Sequence, residues 1–379
     1  MSFTKLPGLI DPHVHLREPG ATHKEDYETG TKAAVAGGIV MVLDMPNNPE
    51  PTITREALDK KQKLAIEKAI CDVGFIFGAS HTKPRRPEFI SGSKNQKMLK
   101  QVQHDEIGNI SEFPKVINGV YALKVYMDTT TGDLLIEDQK ALESIFSAWP
   151  AHKPIVVHAE RETMNKAIDL AKKFNKKLHI AHLSQKSELV RVIEEKEKGM
   201  PISCEVTPHH LFLTEKDTKV LGPYGIMKPP LKKQEDVDFL WKHIDAIDCI
   251  ATDHAPHTKE EKESGMPPYG VTGLETSLPL MLNAVSEGRV KLDDVIRLMH
   301  EGPKRIFNIY YSSSEMRSSH VRSNSNTFVE VDLKAEYTLE NKNLFTKCGW
   351  TPFDGMKVKG KVISVTIRGK KVFESGTFL

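Results

Sequence analysis

Cysteine is scarce: Cys71, Cys204, Cys249 and Cys348 are the only four in 379 residues, widely spaced and without a CxxC pair. That speaks against a zinc ribbon or a disulfide framework and fits reduced thiols, with Cys204 and Cys249 in apolar runs read as core. No apolar run approaches the roughly 20 residues of a membrane span, so no membrane partner is expected. The start, MSFTKLPGLID, lacks a basic segment followed by an apolar one. No secretory signal is therefore predicted, and the expected location is cytoplasmic. An excess of one charge is also missing: 53 Lys and Arg oppose 51 Asp and Glu, for a formal net charge of +2. Nothing in that balance points to nucleic acid. There is no GxGxxG opening a helix, and no repeat of fixed period beyond the alternation described next.

What the chain does have is a series of short β-rich runs: 8–16, 38–46, 72–80, 121–128, 154–160, 178–184, 202–210 and 249–257. Helix-length stretches separate most of them. TREALDKKQKLAIEKAI and RETMNKAIDLAKKFNKK space their apolar residues by three and four, with Lys and Glu on the other face. Eight strands, each followed by a crossover, outline an α/β protein of the (β/α)8 TIM-barrel type. A doubly wound sheet or two smaller α/β domains would alternate similarly, yet no dinucleotide motif or central linker is present. The barrel is predicted over residues 6–310. A long polar stretch at about 81–119 reads as an insertion with a helix near 95–104. Residues 311–327 read as a Ser-rich flexible linker, and 328–379 alternate like strands of a small β subdomain beside the barrel.

In a barrel, chemistry gathers where strands end. The first run ends in IDPHVHLREPG, with His13 and His15; the fourth carries Lys124; the fifth ends in His158, the sixth in His182 and the eighth in Asp253. Side chains two apart on a strand share a face, so His13 and His15 can grip one ion together. A single strand histidine is ordinarily a satisfied core residue, and HxH alone recurs by chance. Ligand-type residues at the ends of five separate strands are harder to explain that way. Lys124 has a plain reading too, as an ion-paired or snorkelling lysine. The alternative is a neutral amine that has captured carbon dioxide, giving a carbamate able to bridge two divalent ions of the zinc kind.

These residues resemble the amidohydrolase superfamily and, within it, the dihydroorotases. The likeness spans residues 6 to about 310 and is closest at DPHVHLREPG with KEDYETGTKAAVAGG, at VLDMPN, at CEVTPHHLFL, and at ATDHAPH followed by GLET; WTPFDGMKVKGKV also resembles that group. The resemblance is to the type found in multifunctional pyrimidine-synthesis polypeptides and in related free-standing enzymes. It implies two Zn2+ ions bridged by N6-carboxylated Lys124: one held with His13, His15 and Asp253, the other with His158 and His182. It implies Arg17, Asn47 and His257 as contacts for the substrate carboxylate. Glu205 matches a glutamate that either backs the ligands or adds one. Departures are Lys228 in IMKPPL where an arginine or asparagine is common, Ala181 where a cysteine ligand would stand, and a short amino end.

The implied reaction is reversible cyclisation of N-carbamoyl-L-aspartate to L-dihydroorotate in pyrimidine synthesis, through a metal-bridging hydroxide with Asp253 moving the proton. The planar two-pronged guanidinium of Arg17 suits a carboxylate, although pairing with Glu18 or Glu25 is its ordinary alternative. Thr130 and Thr131, after the fourth run, read either as a closing substrate loop or as a solvated turn; backbone donors near Gly273 are further candidate contacts. Rival readings are a hydantoinase or allantoinase, and a catalytically silent scaffold barrel. A homodimer and association with other pyrimidine-pathway enzymes are family expectations.

Overall fold

The computed structural model describes residues 3–81, 108–309 and 326–379. Each of the eight apolar runs contains a strand: β2 (Leu9–Val14), β3 (Ile39–Asp44), β4 (Asp72–Gly78), β5 (Ala122–Tyr126), β6 (Ile155–His158), β7 (Leu178–Ile180), β8 (Ile202–Val206) and β9 (Cys249–Ile250). All neighbours in this sheet run parallel, in chain order. Segments such as IVMVLD, buried at every position, suit a sheet with helices outside and packed side chains inside. A parallel bridge from Val14 to His254, with the His15 N–H on the His254 carbonyl at 2.8 Å, joins the last strand's extension to the first. The barrel thereby closes.

The two periodic segments form helices Arg55–Lys68 and Arg161–Lys173. Thr54 caps the first by accepting from the Ala57 N–H. The second buries Met164, Ala167, Ile168, Leu170 and Ala171 on one face, each large aliphatic worth about 1.5–3 kcal/mol when fully withdrawn from water. The first departs from its pattern, because Lys61 is completely buried. Its ammonium donates to the Met45 carbonyl at 2.6 Å and to Asn48 Oδ1 at 2.9 Å, and pairs with Asp44 at 3.0 Å. This lysine is a post for the loop after β3.

A second, antiparallel sheet orders β1 (Thr4–Pro7), β10 (Phe328–Thr338), β11 (Lys357–Ile367), β12 (Lys370–Glu374) and β13 (Thr377–Phe378). The sequence reading starts the barrel at residue 6. Leu6 and Pro7 instead face Val329 and Phe328 in this second sheet. Four residues at the amino end suffice because strand pairing needs only an edge to join. Val329, Val331, Val362 and Val365 belong to the same apolar cluster as Ile39, Val40 and Leu278, so the two sheets share a core. The helix expected near 95–104, most of the 81–119 insertion and nearly all of the 311–327 linker lie outside the described residues. Among those described, no helix is long and apolar enough to cross a membrane.

Candidate metal and substrate site

The strand ends converge on one cavity lined by His13, His15, Arg17, Asn47, Lys124, Thr130, Thr131, His158, His182 and Asp253. Three of these, Arg17, His182 and Asp253, have φ of +64°, +34° and +47°. A side-chain-bearing residue in that region costs on the order of 1–2 kcal/mol, and the surrounding fold must hold it there.

Asp253 ties the first group together. Its Oδ1 lies 3.0 Å from His15 Nε2 and 3.4 Å from His13 Nε2. Burial alone would raise the Asp253 carboxyl, but the facing His13 and His15 outweigh it and keep the group below the usual carboxylate range. His15 moves the other way: burial lowers its pKa to about 4, against the opposing pull of Asp253 as a hydrogen-bond acceptor. Behind the two imidazoles sit their orienting partners. His15 Nδ1 meets Asn47 Oδ1 at 2.8 Å, and His13 Nδ1 is bonded to Glu205 Oε1. Each ring is thereby turned to present Nε2 inward, the arrangement typical of ligating histidines. Both oxygens of Glu205 are engaged behind the ligands. Its Oε2 meets His179 Nε2 at 3.0 Å, and Oε1 also accepts from the His182 N–H at 3.2 Å.

The second group is His158, His182 and Lys124. His158 Nδ1 and His182 Nε2 are 2.8 Å apart, which leaves His158 Nε2 and His182 Nδ1 buried without a hydrogen-bond partner among the described residues. Lys124 Nζ is likewise buried without a hydrogen-bond partner among the described residues, 5.4 Å from the Tyr126 ring centroid. Burial pushes the lysine down to about 8, offset by Glu205 and Asp253, and pushes His158 down to about 3 with help from Lys124. Orphaned buried nitrogens cost about 1–3 kcal/mol each. Imidazole nitrogens, an amine whose proton burial loosens and one carboxylate form a donor set that divalent cations fit. His13, His15 and Asp253 place their ligand atoms within 4.8 Å of one another, as do His179, Glu205 and Cys249 beneath them. The lower group is already satisfied in part, since Ser203 Oγ lies 2.8 Å from His179 Nδ1.

The third wall is built from Arg17. Its Nε donates to the Pro256 carbonyl at 3.0 Å and its Nη2 meets His257 Nε2 at 3.0 Å. His257 is completely buried behind the guanidinium and is absent from the cavity lining. Burial, Arg17 and Lys24 bring its pKa down to about 2, which keeps the ring uncharged beside the guanidinium. Asn47 uses its Nδ2 on the Thr131 carbonyl at 3.0 Å, and Thr131 Oγ1 reaches the Tyr269 carbonyl at 3.5 Å. Through Thr131 the loop after β5 therefore connects Asn47 to the loop that carries Tyr269. Gly273 faces elsewhere: its N–H goes to His254 Nδ1 at 3.2 Å.

Tyr126, Lys228, Ala255, Tyr269 and Gly270 also line the cavity, and sequence reasoning does not single them out as contacts. Tyr126 carries a signal, because it lies two residues beyond Lys124 on the same strand face. Lys228 stands where the family pattern departs. Tyr269 and Gly270 come from an irregular loop without periodicity. Gly270 has φ +136° and a Cβ there would lie 2.5 Å from the Ala255 carbonyl oxygen, so only glycine fits this wall.

The amidohydrolase family model matches residues 4–315. The chain belongs to the amidohydrolase family. Among relatives of this amidohydrolase, the dihydroorotase of Pyrococcus abyssi is 37% identical over 97% of this chain and 83% of its own length. The multifunctional protein CAD of Squalus acanthias is 42% identical over 99% of this chain, which spans only 15% of that protein's length. In structure, an L-hydantoinase (dihydropyrimidinase) from Arthrobacter aurescens matches with a TM-score of 0.85 at 25% identity, covering 100% of this chain and 87% of its own. Metal dependence is general in the family, and the site has groups able to hold metal.

Proposed function

We propose that this amidohydrolase is a dihydroorotase, interconverting N-carbamoyl-L-aspartate and L-dihydroorotate. The observation that carries the reading is Arg17, whose side chain shares one cavity with the histidine, lysine and aspartate cluster. A cyclic amide without a carboxylate has no use for a buried guanidinium beside its ring; dihydroorotate does. The 37% identity to a dihydroorotase over most of both chains supports the same choice over the hydantoinase reading.

In this reading two Zn2+ ions would be held by His13, His15, Lys124 and Asp253 and by Lys124, His158 and His182, with Lys124 carboxylated. Once bound, such ions supply a hydroxide nucleophilic at neutral pH and polarise the ring carbonyl. Arg17 grips the ring carboxylate and keeps it from competing for the ligand positions. Asn47 holds His15 in its ligating tautomer and anchors the Thr131 carbonyl, and its place on the lining lets it meet the same carboxylate. Asp253, ionised and facing both first-strand histidines, accepts the proton and returns it to the leaving ring nitrogen. Thr130 and Thr131 cover the mouth and limit access of bulk water. Glu205 acts from behind through His13. Given the multifunctional relative, association with other enzymes of pyrimidine synthesis is part of the proposal, as is a cytoplasmic location.

The deciding experiment is ring opening of dihydroorotate measured beside hydantoin and allantoin, with zinc per chain determined on the same sample. Dihydroorotate should be preferred strongly. Preference for either of the other rings would replace the reading, and well under one zinc per chain after incubation with zinc and bicarbonate would remove its binuclear part.

A further inference from the structure

The bonds that hold Arg17 continue beyond the barrel. Two successive carbonyls run along the back of the guanidinium: that of Pro256 accepts Arg17 Nε, and that of His257 accepts the indole N–H of Trp350 at 2.7 Å. Trp350 lies between β10 and β11, in the part of the chain that forms the second sheet, and is 1% exposed. The backbone at residues 256 and 257 is thus held at one carbonyl by Arg17 and at the next by this tryptophan.

Trp350 is itself fixed in every direction. Its carbonyl accepts from Thr272 Oγ1 at 2.5 Å, and its ring meets Tyr224 edge-on at 4.9 Å between centroids. Lys262 Nζ, 5.6 Å from the indole, donates to the carbonyls of Ile226, Pro268 and Gly270 at 2.9, 2.9 and 3.1 Å. Those carbonyls belong to the loops that bring Lys228, Tyr269 and Gly270 to the cavity. A buried indole N–H must find an acceptor. Here the acceptor is the backbone of the residue that holds the substrate-facing arginine.

We propose that Trp350 is a positioning residue for the substrate carboxylate: it fixes the 256–257 backbone, through it His257 and the Arg17 guanidinium, and so sets substrate affinity without acting on the metal end. This rests on the reading of dihydroorotate as the substrate gripped by Arg17. None of the contacts of Trp350 named above reaches His13, His15, Lys124, His158 or His182, so its effect should separate from metal binding.

The test uses the full-length, zinc-loaded enzyme in dihydroorotate ring opening. Trp350→Phe keeps a large apolar ring and removes the N–H. KM should rise about five- to tenfold, the usual weight of one buried hydrogen bond, while kcat and zinc per chain hold. In an Arg17→Lys background the same change should add less than about twofold, because both act through one guanidinium. Full additivity in that cycle, an unchanged KM, or parallel loss of kcat, KM and zinc would each overturn the proposal. If Trp350→Phe does not fold, Thr272→Val removes the hydroxyl on the Trp350 carbonyl and must give the same KM-only pattern. A wild-type enzyme that fails to open dihydroorotate overturns the substrate reading and this one with it; a wild-type enzyme that opens it while Trp350→Phe keeps its KM overturns this one alone.

Discussion

The two ends of the cavity are built on opposite terms. At the histidine end, His158 Nε2, His182 Nδ1 and Lys124 Nζ are buried with no hydrogen-bond partner among the described residues. At the arginine end, Arg17 is tied to Pro256 and His257, His257 to Lys24, and Asn47 to Thr131. Unsatisfied buried nitrogens are the mark of a place that something else completes. Satisfied ones held from behind are the mark of a preset grip, which loses less entropy when the ligand arrives. Metal loading and substrate affinity should therefore be separable by mutation.

The sharpest break comes from Lys124→Ala. If this side chain bridges two ions as proposed, zinc per chain should fall below two and activity should drop by at least about a thousandfold, since nucleophile and charge stabilisation are lost together. Short carboxylic acids should restore part of it. Full zinc content with normal turnover would remove Lys124 from the site. On the other side, Arg17→Lys keeps the charge and loses the fork. We expect kcat/KM for dihydroorotate to fall about ten- to hundredfold with zinc content unchanged. Unaltered kinetics would take Arg17 out of substrate binding.

How much of this contrast is legible in the sequence follows from the same division. The ligand-type residues sit at the ends of buried parallel strands, where a run of apolar residues stops at a histidine or aspartate. That interruption is a one-dimensional signal, and it locates His13, His15, His158, His182 and Asp253 together with the barrel that gathers them. The grip is assembled from irregular backbone. Family resemblance puts His257 on the substrate, yet it lies behind Arg17; Gly273 is a candidate donor by sequence, yet its N–H is spent on His254. Neither periodicity nor propensity encodes which way such loops face. Lys61 and Trp350 are invisible for another reason, because their partners are backbone carbonyls distant in sequence. The β1 pairing escapes because a strand of four residues has no pattern until its partner is known.

A subtler test of the histidine end is Glu205→Gln. One amide oxygen cannot serve His13, His179 and the His182 N–H as the carboxylate does. Zinc affinity, measured by competition with a chelator, should weaken about ten- to hundredfold while KM in saturating zinc stays put. Undiminished affinity would mean that His13 needs no orienting partner.

The smallest effect should come from the scaffold beneath the grip. Asp44, completely buried at the end of β3, accepts from the Leu16 N–H at 3.0 Å and from Tyr27 Oη at 2.9 Å, and it pairs with Lys61. Leu16 is the residue before Arg17, so this network supports the same corner of the barrel from below. Tyr27→Phe removes one of three partners and leaves the ion pair in place. Stability should fall by about 1 kcal/mol in a denaturant titration, with zinc content and KM both unchanged. A KM shift as large as that expected for Trp350→Phe would mean that the guanidinium is set from below by Asp44 as much as from behind by the tryptophan. An unchanged KM would leave the back of Arg17, where the second sheet meets the barrel, as the side that tunes the grip.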